Sequence, residues 1–211
     1  MKKATTKRKN DHLKMAAQSQ TPHQSLYGQL SYEPLFGSPQ LKERDYLFLG
    51  KKLKAPLWVS SMTGGGEKSG VINQRLAQVV AEFELGMGLG SCRLLLESKT
   101  PKKVWQHFNL RPTLGKERPF YANLGIAQVE KLLEKNELNA IEDMVGRLAA
   151  DGLIIHINPL QEFLQPEGDR YRRPAIDTIK EFLEKTTLKV MVKEVGQGMG
   201  PLSIDALLRL P

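Results

Sequence analysis

The chain has a single cysteine, Cys92, among 211 residues, so it cannot form an internal disulfide. That scarcity fits a reducing, cytoplasmic setting, where thiols stay unpaired. No apolar run approaches the roughly 18 residues needed to cross a bilayer. The amino terminus is charged and lacks the apolar core of a secretory signal. Internal repeats and low-complexity tracts are absent. No Gly-Lys-Ser/Thr closes a glycine-rich loop, which excludes a P-loop. The glycines of Gly86–Ser91 lie within an expected strand instead of opening a helix after one, so they are not a dinucleotide fingerprint. They fit close packing or a cofactor passing near the backbone.

What remains is ordinary soluble-protein composition, 40% hydrophobic and 26% charged, long enough to bury a core in one or two domains. The net charge of +8 is uneven. Lys2, Lys3, Lys7, Arg8, Lys9 and Lys14 crowd the first residues against Asp11 alone. Such an arm has three readings: a solvated tail, a nucleic-acid arm, or a strap over an anionic small molecule. The body shows no basic stripe with interleaved aromatics, which speaks against nucleic acid. Arginine suits a diphosphate, because its planar fork makes two charged hydrogen bonds at once.

The spacing of Leu13, Met15, Ala16 and Ala17 predicts a short helix over 11–20. Residues 21–54, broken by prolines and glycines, are expected to be irregular. From Ala55 strands and helices alternate. Strands are expected at 56–62, 86–90, 120–123, 152–157 and 190–195. Helices are expected near 69–84, 94–96, 101–108, 128–134, 140–150 and 174–185, and from Ser203 onward. Alternation implies parallel βα units, hence a doubly wound sheet or a barrel. Polar clusters follow all five strands in turn, which favours a barrel over a single switch point.

The densest cluster is His156–Asp169, after the apolar run Gly152–Ile155. His156 and Asn158 alternate with Ile157, so both side chains leave one strand face. Pro159 is expected to end strand pairing, with Gln161 and Glu162 on the following loop. An imidazole, two amides and a carboxylate can orient a substrate, move a proton and hold a hard cation. By residue type alone, a strand end with a hydrophilic loop fits equally well. Glu167 and Asp169 read as solvated loop charges, outside the site. His23 and His107 match no motif.

This segment resembles the signature of the type 2 isopentenyl diphosphate isomerases. Arg8–His12, Ser61–Gly65, Gly90–Arg93, Ala122–Gly125 and Lys193–Gly196 resemble further motifs of that family, in the same order. The resemblance implies a TIM barrel, reduced FMN, Mg²⁺, NADPH as the flavin's reductant, and a small diphosphate substrate. It implies a homo-oligomer, with no nucleic acid and no membrane as partner. It puts Ser61, Met62, Thr63, Gly64, Ser91, Asn123 and Lys193 at the flavin. Arg8, Lys9, His12, Arg93, Asn158 and Gln161 go to the substrate, and Glu162 to the metal. The catalytic set it implies is His156, Gln161 and Lys193. Cys92 departs from the glutamine usual there. A 2-hydroxy-acid oxidase type of flavin barrel is the rival enzyme.

Five strands are found where a TIM barrel has eight, in about 250 residues. The expectation is therefore an amino-terminal part of such a barrel, with an arm and lead-in over 1–54 and barrel units over 55–211. An inactive half-barrel is a further reading. Five units alone would leave two open sheet edges, so self-association or aggregation is expected, with FMN bound weakly if at all.

Overall fold

The computed structural model describes residues 46–64, 66–166 and 168–211, together with Asp11, Met15, Gln18 and Leu35. Asp11, Met15 and Gln18 have helical backbone, in line with the expected helix over 11–20. Strands β1 (Tyr46–Phe48) and β2 (Lys51–Leu53) pair antiparallel. This hairpin corrects the expectation of irregular chain up to residue 54. Leu49 and Gly50 turn it with φ of 46° and 90°, the positive pair that matches strand twist in a two-residue loop. Leucine in the first turn position hid that signal.

Five strands then form one parallel sheet: β3 (Trp58–Val59), β4 (Gly86–Gly88), β5 (Phe120–Gly125), β6 (Gly152–His156) and β7 (Lys189–Lys193). Their spatial order is the chain order. A doubly wound sheet reverses direction at a switch point. This one never does, so right-handed crossovers put its helices on one face, as in part of a TIM barrel. β5 is wholly buried, Asn123 included, and β6 nearly so, as its apolar run Gly152–Ile155 requires, whereas β7 is half-buried. A Cβ on Gly86, Gly88 or Gly90 would overlap the Trp58 ring, the Ser61 hydroxyl or the Thr63 backbone. The glycines of β4 therefore serve close packing of β3 and its loop.

The helices follow the apolar periodicity. In α1 (Glu67–Glu82) Asn73, Ala77 and Val80 form the buried stripe. The Leu94–Leu96 cluster makes a tight 3₁₀ turn over Arg93–Leu96, burying only Leu95. Two short helices follow, α2 (Lys102–Gln106) and α3 (Arg111–Leu114). α4 (Ile126–Glu134) buries Ile126, Val129 and Leu133, and α5 (Asn139–Arg147) buries Ile141, Met144 and Val145. Gln161 and Glu162 lie on α6 (Pro159–Leu164), not on a loop. Proline ends the strand but also fits the first helical position, where its missing amide costs nothing. α7 (Ala175–Lys185) buries Thr178, Ile179 and Phe182. α8 (Pro201–Leu208) buries no residue fully. Among the described residues no helix is long and apolar enough to cross a membrane.

A clasp closes the amino-terminal rim of the sheet. Asp151 accepts from Lys51 Nζ at 2.7 Å, Arg111 Nη2 at 3.0 Å and the Phe120 amide at 2.8 Å. Arg111 also donates to the carbonyls of Ala149, Gly115 and Arg118. Phe48 and Trp58 pack edge-on against Tyr121 above it. Burial, and then the Asp151 charge, push the Tyr121 phenol up to about 12.

Candidate functional site

The carboxyl ends of the strands open into a cleft of about 660 Å³. Of the residues singled out in the sequence, Ser61, Met62, Gly64, Ser91, Arg93, Asn123, His156, Asn158, Gln161, Glu162 and Lys193 line it. Met15 reaches it from the amino-terminal segment. Arg8, Lys9 and His12 lie outside the described residues. Thr63 does not line the cleft; its buried hydroxyl turns inward to the Asn73 side chain. Cys92 is fully buried in the apolar core, its Sγ 3.4 Å from the Gly90 carbonyl. Its departure from glutamine therefore concerns packing and does not reach the cleft.

β5 and β6 set the centre. Gly125 pairs with His156 in the parallel register, which brings the His156 ring beside Asn123. His156 Nδ1 lies 2.8 Å from Asn123 Oδ1. An amide oxygen only accepts, so Nδ1 carries the proton and Nε2 keeps its lone pair. Burial, then the charges of Lys193 and Arg93, push this imidazole down to about 4, and Asp169 only partly opposes them. His156 is therefore neutral at physiological pH. Lys193 ends β7, its Nζ bonded to the Glu194 carbonyl at 2.8 Å; burial lowers its ammonium below the ordinary value.

Asn158 is buried and donates to Glu162 Oε1 at 3.1 Å, one helical turn on. Glu162 Oε2 accepts from the Asp169 amide at 2.6 Å. Each oxygen keeps a further lone pair. Among the described residues no three of His, Cys, Asp and Glu gather into a metal cage. Glu162 thus fits a metal only as a single carboxylate completed by substrate oxygens and water, the arrangement Mg²⁺ favours.

Asp169 corrects the sequence reading most clearly. It is no solvated charge: Arg93 Nη1 and Gln128 Nε2 both reach its Oδ2 at 2.8 Å, and Lys131 Nζ lies 3.3 Å from Oδ1. Burial works to raise its carboxyl, but Arg93, Gln128 and Lys131 together hold it below the ordinary value. The signal was spread over three elements, so no local motif carried it. Gln128 was missed for the same reason.

Among the described residues, Ser61 Oγ is the only buried side-chain polar atom without a hydrogen-bond partner. A buried, unsatisfied hydroxyl at a cleft wall costs about 1–3 kcal/mol unless a ligand pairs with it. Together with Ser91 and Asn123 it offers polar partners for the edge of a flat heterocycle, so the residues present fit a flavin ring.

No family model matches the chain. It is similar to isopentenyl-diphosphate delta-isomerases from several bacteria. The Nostoc sp. protein is 36% identical over 210 residues, covering 97% of this chain and 58% of that protein. That of Rickettsia felis is 38% identical over 161 residues, 76% of this chain and 45% of the relative. That of Chlorobium limicola is 35% identical over 161 residues, 76% and 43% respectively. The chain spans about half the length of these curated relatives. Ordered βα units, a polar cleft at their carboxyl ends and these identities lead to one conclusion: the chain is homologous to the isopentenyl-diphosphate delta-isomerases.

Proposed function

We propose that this chain carries the isoalloxazine-facing and substrate-facing half of a type 2 isopentenyl-diphosphate delta-isomerase site. Such an enzyme interconverts isopentenyl and dimethylallyl diphosphate with reduced FMN and Mg²⁺. The observation that carries the reading is a single cleft that joins a neutral imidazole, the Arg93 guanidinium, the Lys193 ammonium and the Glu162 carboxylate beside an unsatisfied hydroxyl.

Ser61, Met62, Gly64, Ser91 and Asn123 would hold the flavin ring, and Thr63 would contribute only backbone. Lys193 would sit at the ring's pyrimidine side, where an ammonium stabilises negative charge. Bound reduced FMN supplies the ring edge through which a proton is exchanged, and NADPH serves only to reduce it. The reaction needs a proton gained at one carbon and lost from another, so a close and aligned donor is required. His156 and Gln161 would line the hydrocarbon end. With its Nδ1 proton committed to Asn123 and its ring neutral, His156 would add no cation beside the alkene. Water must be kept out, because it would trap a protonated alkene.

Arg93, Asn158 and the arm residues Arg8, Lys9 and His12 would bind the diphosphate, with Glu162 linked to it through Mg²⁺. Self-association belongs to the same proposal: β3 and β7 have no outer strand partner among the described residues. So does a cytoplasmic setting, in keeping with a lone buried thiol. The test is titration of the purified chain with FMN, followed by absorbance, and with magnesium pyrophosphate, followed by calorimetry. An isomerisation assay with isopentenyl diphosphate accompanies both. Binding of neither FMN nor magnesium pyrophosphate would overturn the reading. Isomerisation whose magnesium titration is unchanged in Glu162→Gln would remove Glu162 as the ligand.

A further inference from the structure

Two groups assigned above to the diphosphate end come from different parts of the chain. Arg93 lies in the turn after β4 and Glu162 on α6, and neither bonds the other. Both bond Asp169. Its carboxylate takes Arg93 Nη1 at 2.8 Å, and its own amide donates to Glu162 Oε2 at 2.6 Å. Asp169 is itself fixed from a third element, because Gln128 and Lys131 of α4 hold its two oxygens. The backbone before it is tightly seated: a Cβ at Gly168 would overlap the Glu162 carbonyl. Beyond it, the amides of Arg172 and Arg173 bond the buried carboxylate of Glu130 at 3.1–3.3 Å. The loop is thus pinned on both sides of Asp169.

We propose that Asp169 is a positioning residue that sets Arg93 and Glu162 relative to one another, so that the guanidinium and the metal-binding carboxylate meet one diphosphate together. The inference rests on the diphosphate reading above. Among the described residues, Asp169 is the one hydrogen-bond partner of the Arg93 side chain, and it engages only Nη1. The remaining N–H donors are left for phosphate oxygens. Both side chains are held before the ligand arrives, which lowers the ordering cost of binding.

Charge and position predict opposite signs here, which makes the proposal sharp. Asp169→Asn removes a negative charge beside an anion site, and Coulomb attraction alone would tighten that site. Loss of positioning loosens it. We expect Asp169→Asn to weaken magnesium pyrophosphate binding by about tenfold, the scale of one charged hydrogen bond. We also expect it to raise the Mg²⁺ concentration needed for that binding, although Asp169 is not a ligand. Arg93→Ala should cost less in the Asp169→Asn background than in the wild type.

Glu130→Gln tests mere loop integrity, because Glu130 anchors the same loop without touching Arg93 or Glu162. It should leave both readouts unchanged; weakening equal to that of Asp169→Asn would reduce Asp169 to a structural prop. Tighter or unaltered binding in Asp169→Asn overturns the proposal. Where that variant does not fold, Gln128→Leu loosens the same carboxylate and should weaken binding about threefold; no change there also overturns it. If wild-type chain does not bind magnesium pyrophosphate, or Arg93→Ala binds it equally well, the diphosphate reading itself fails.

Discussion

Two carboxylates organise opposite rims of the same sheet. Asp151, at the amino-terminal rim, gathers Lys51, Arg111 and a backbone amide. Asp169, at the carboxyl rim, gathers Arg93, Gln128 and Lys131. The donor sets look alike, yet their surroundings differ. Arg111 spends three further donors on carbonyls, and Lys51 spends its own on Lys116 and Arg118. That network is nearly closed, with one Arg111 N–H to spare, and it does not line the cleft. Arg93 has no second acceptor among the described residues, and it faces a cleft. A nearly closed ionic network stabilises; one with donors to spare at a cleft recognises.

Variants can break that contrast. Arg111→Ala removes four hydrogen bonds and the contact of its guanidinium with the Phe120 ring. It should cost about 4 kcal/mol of folding stability, at roughly 1 kcal/mol per bond, read from urea unfolding. Magnesium pyrophosphate affinity of the folded fraction should not change. A parallel loss of affinity would erase the distinction between the rims.

Acid should act on the upper rim. The folded value for His156, about 4, lies below its ordinary 6.5. The unfolded chain therefore binds the proton more readily between those values. Stability is full above pH 6.5 and falls as pH drops toward 4, by on the order of 3 kcal/mol. His156→Asn should flatten that limb of the stability curve. An acid limb of the same slope in the variant would locate the effect elsewhere.

Arg93→Ala is the mirror of Arg111→Ala. It should weaken magnesium pyrophosphate by roughly 1.5–3 kcal/mol, measured by calorimetry. Its folding stability should move by less than about 1 kcal/mol, because the Arg93–Asp169 pair is partly exposed. A larger loss of stability than of affinity would make Arg93 a structural residue. The smallest effect belongs to Lys131→Ala, whose ammonium is half exposed. A change of a few tenths of a kcal/mol in unfolding is expected.

The barrel units were legible because each carries its own periodicity. Gly152–Ile155 reads as a buried strand from four residues, and 140–150 reads as a helix, whose buried face proves to be Ile141, Met144 and Val145. The cleft was legible where its residues sit next to one another in the chain, as His156, Asn158 and Glu162 do. Asp169 was not, because its meaning depends on Arg93, 76 positions away, and on Gln128, 41 away. Nothing local distinguishes it from an idle loop charge. The Tyr46–Leu53 hairpin was hidden because Leu49 holds a backbone conformation usually given to asparagine or glycine. Thr63 was given a ligand's role on its neighbours' account, and only packing could turn its hydroxyl to Asn73.

The strictly sequential strand order also has a temporal meaning. As the chain leaves the ribosome, each new strand finds its partner in the unit made just before it: β5 is waiting when β6 arrives, and β6 when β7 does. Assembly can then advance as a growing front, with little search between distant segments. The hairpin made first is secured in stages. Phe48 meets Tyr121 and Lys51 reaches the Lys116 and Arg118 carbonyls once β5 is made, the bond to Asp151, 100 positions from Lys51, comes with β6, and the bond from Lys189 to Leu49, 140 positions apart, comes only with β7.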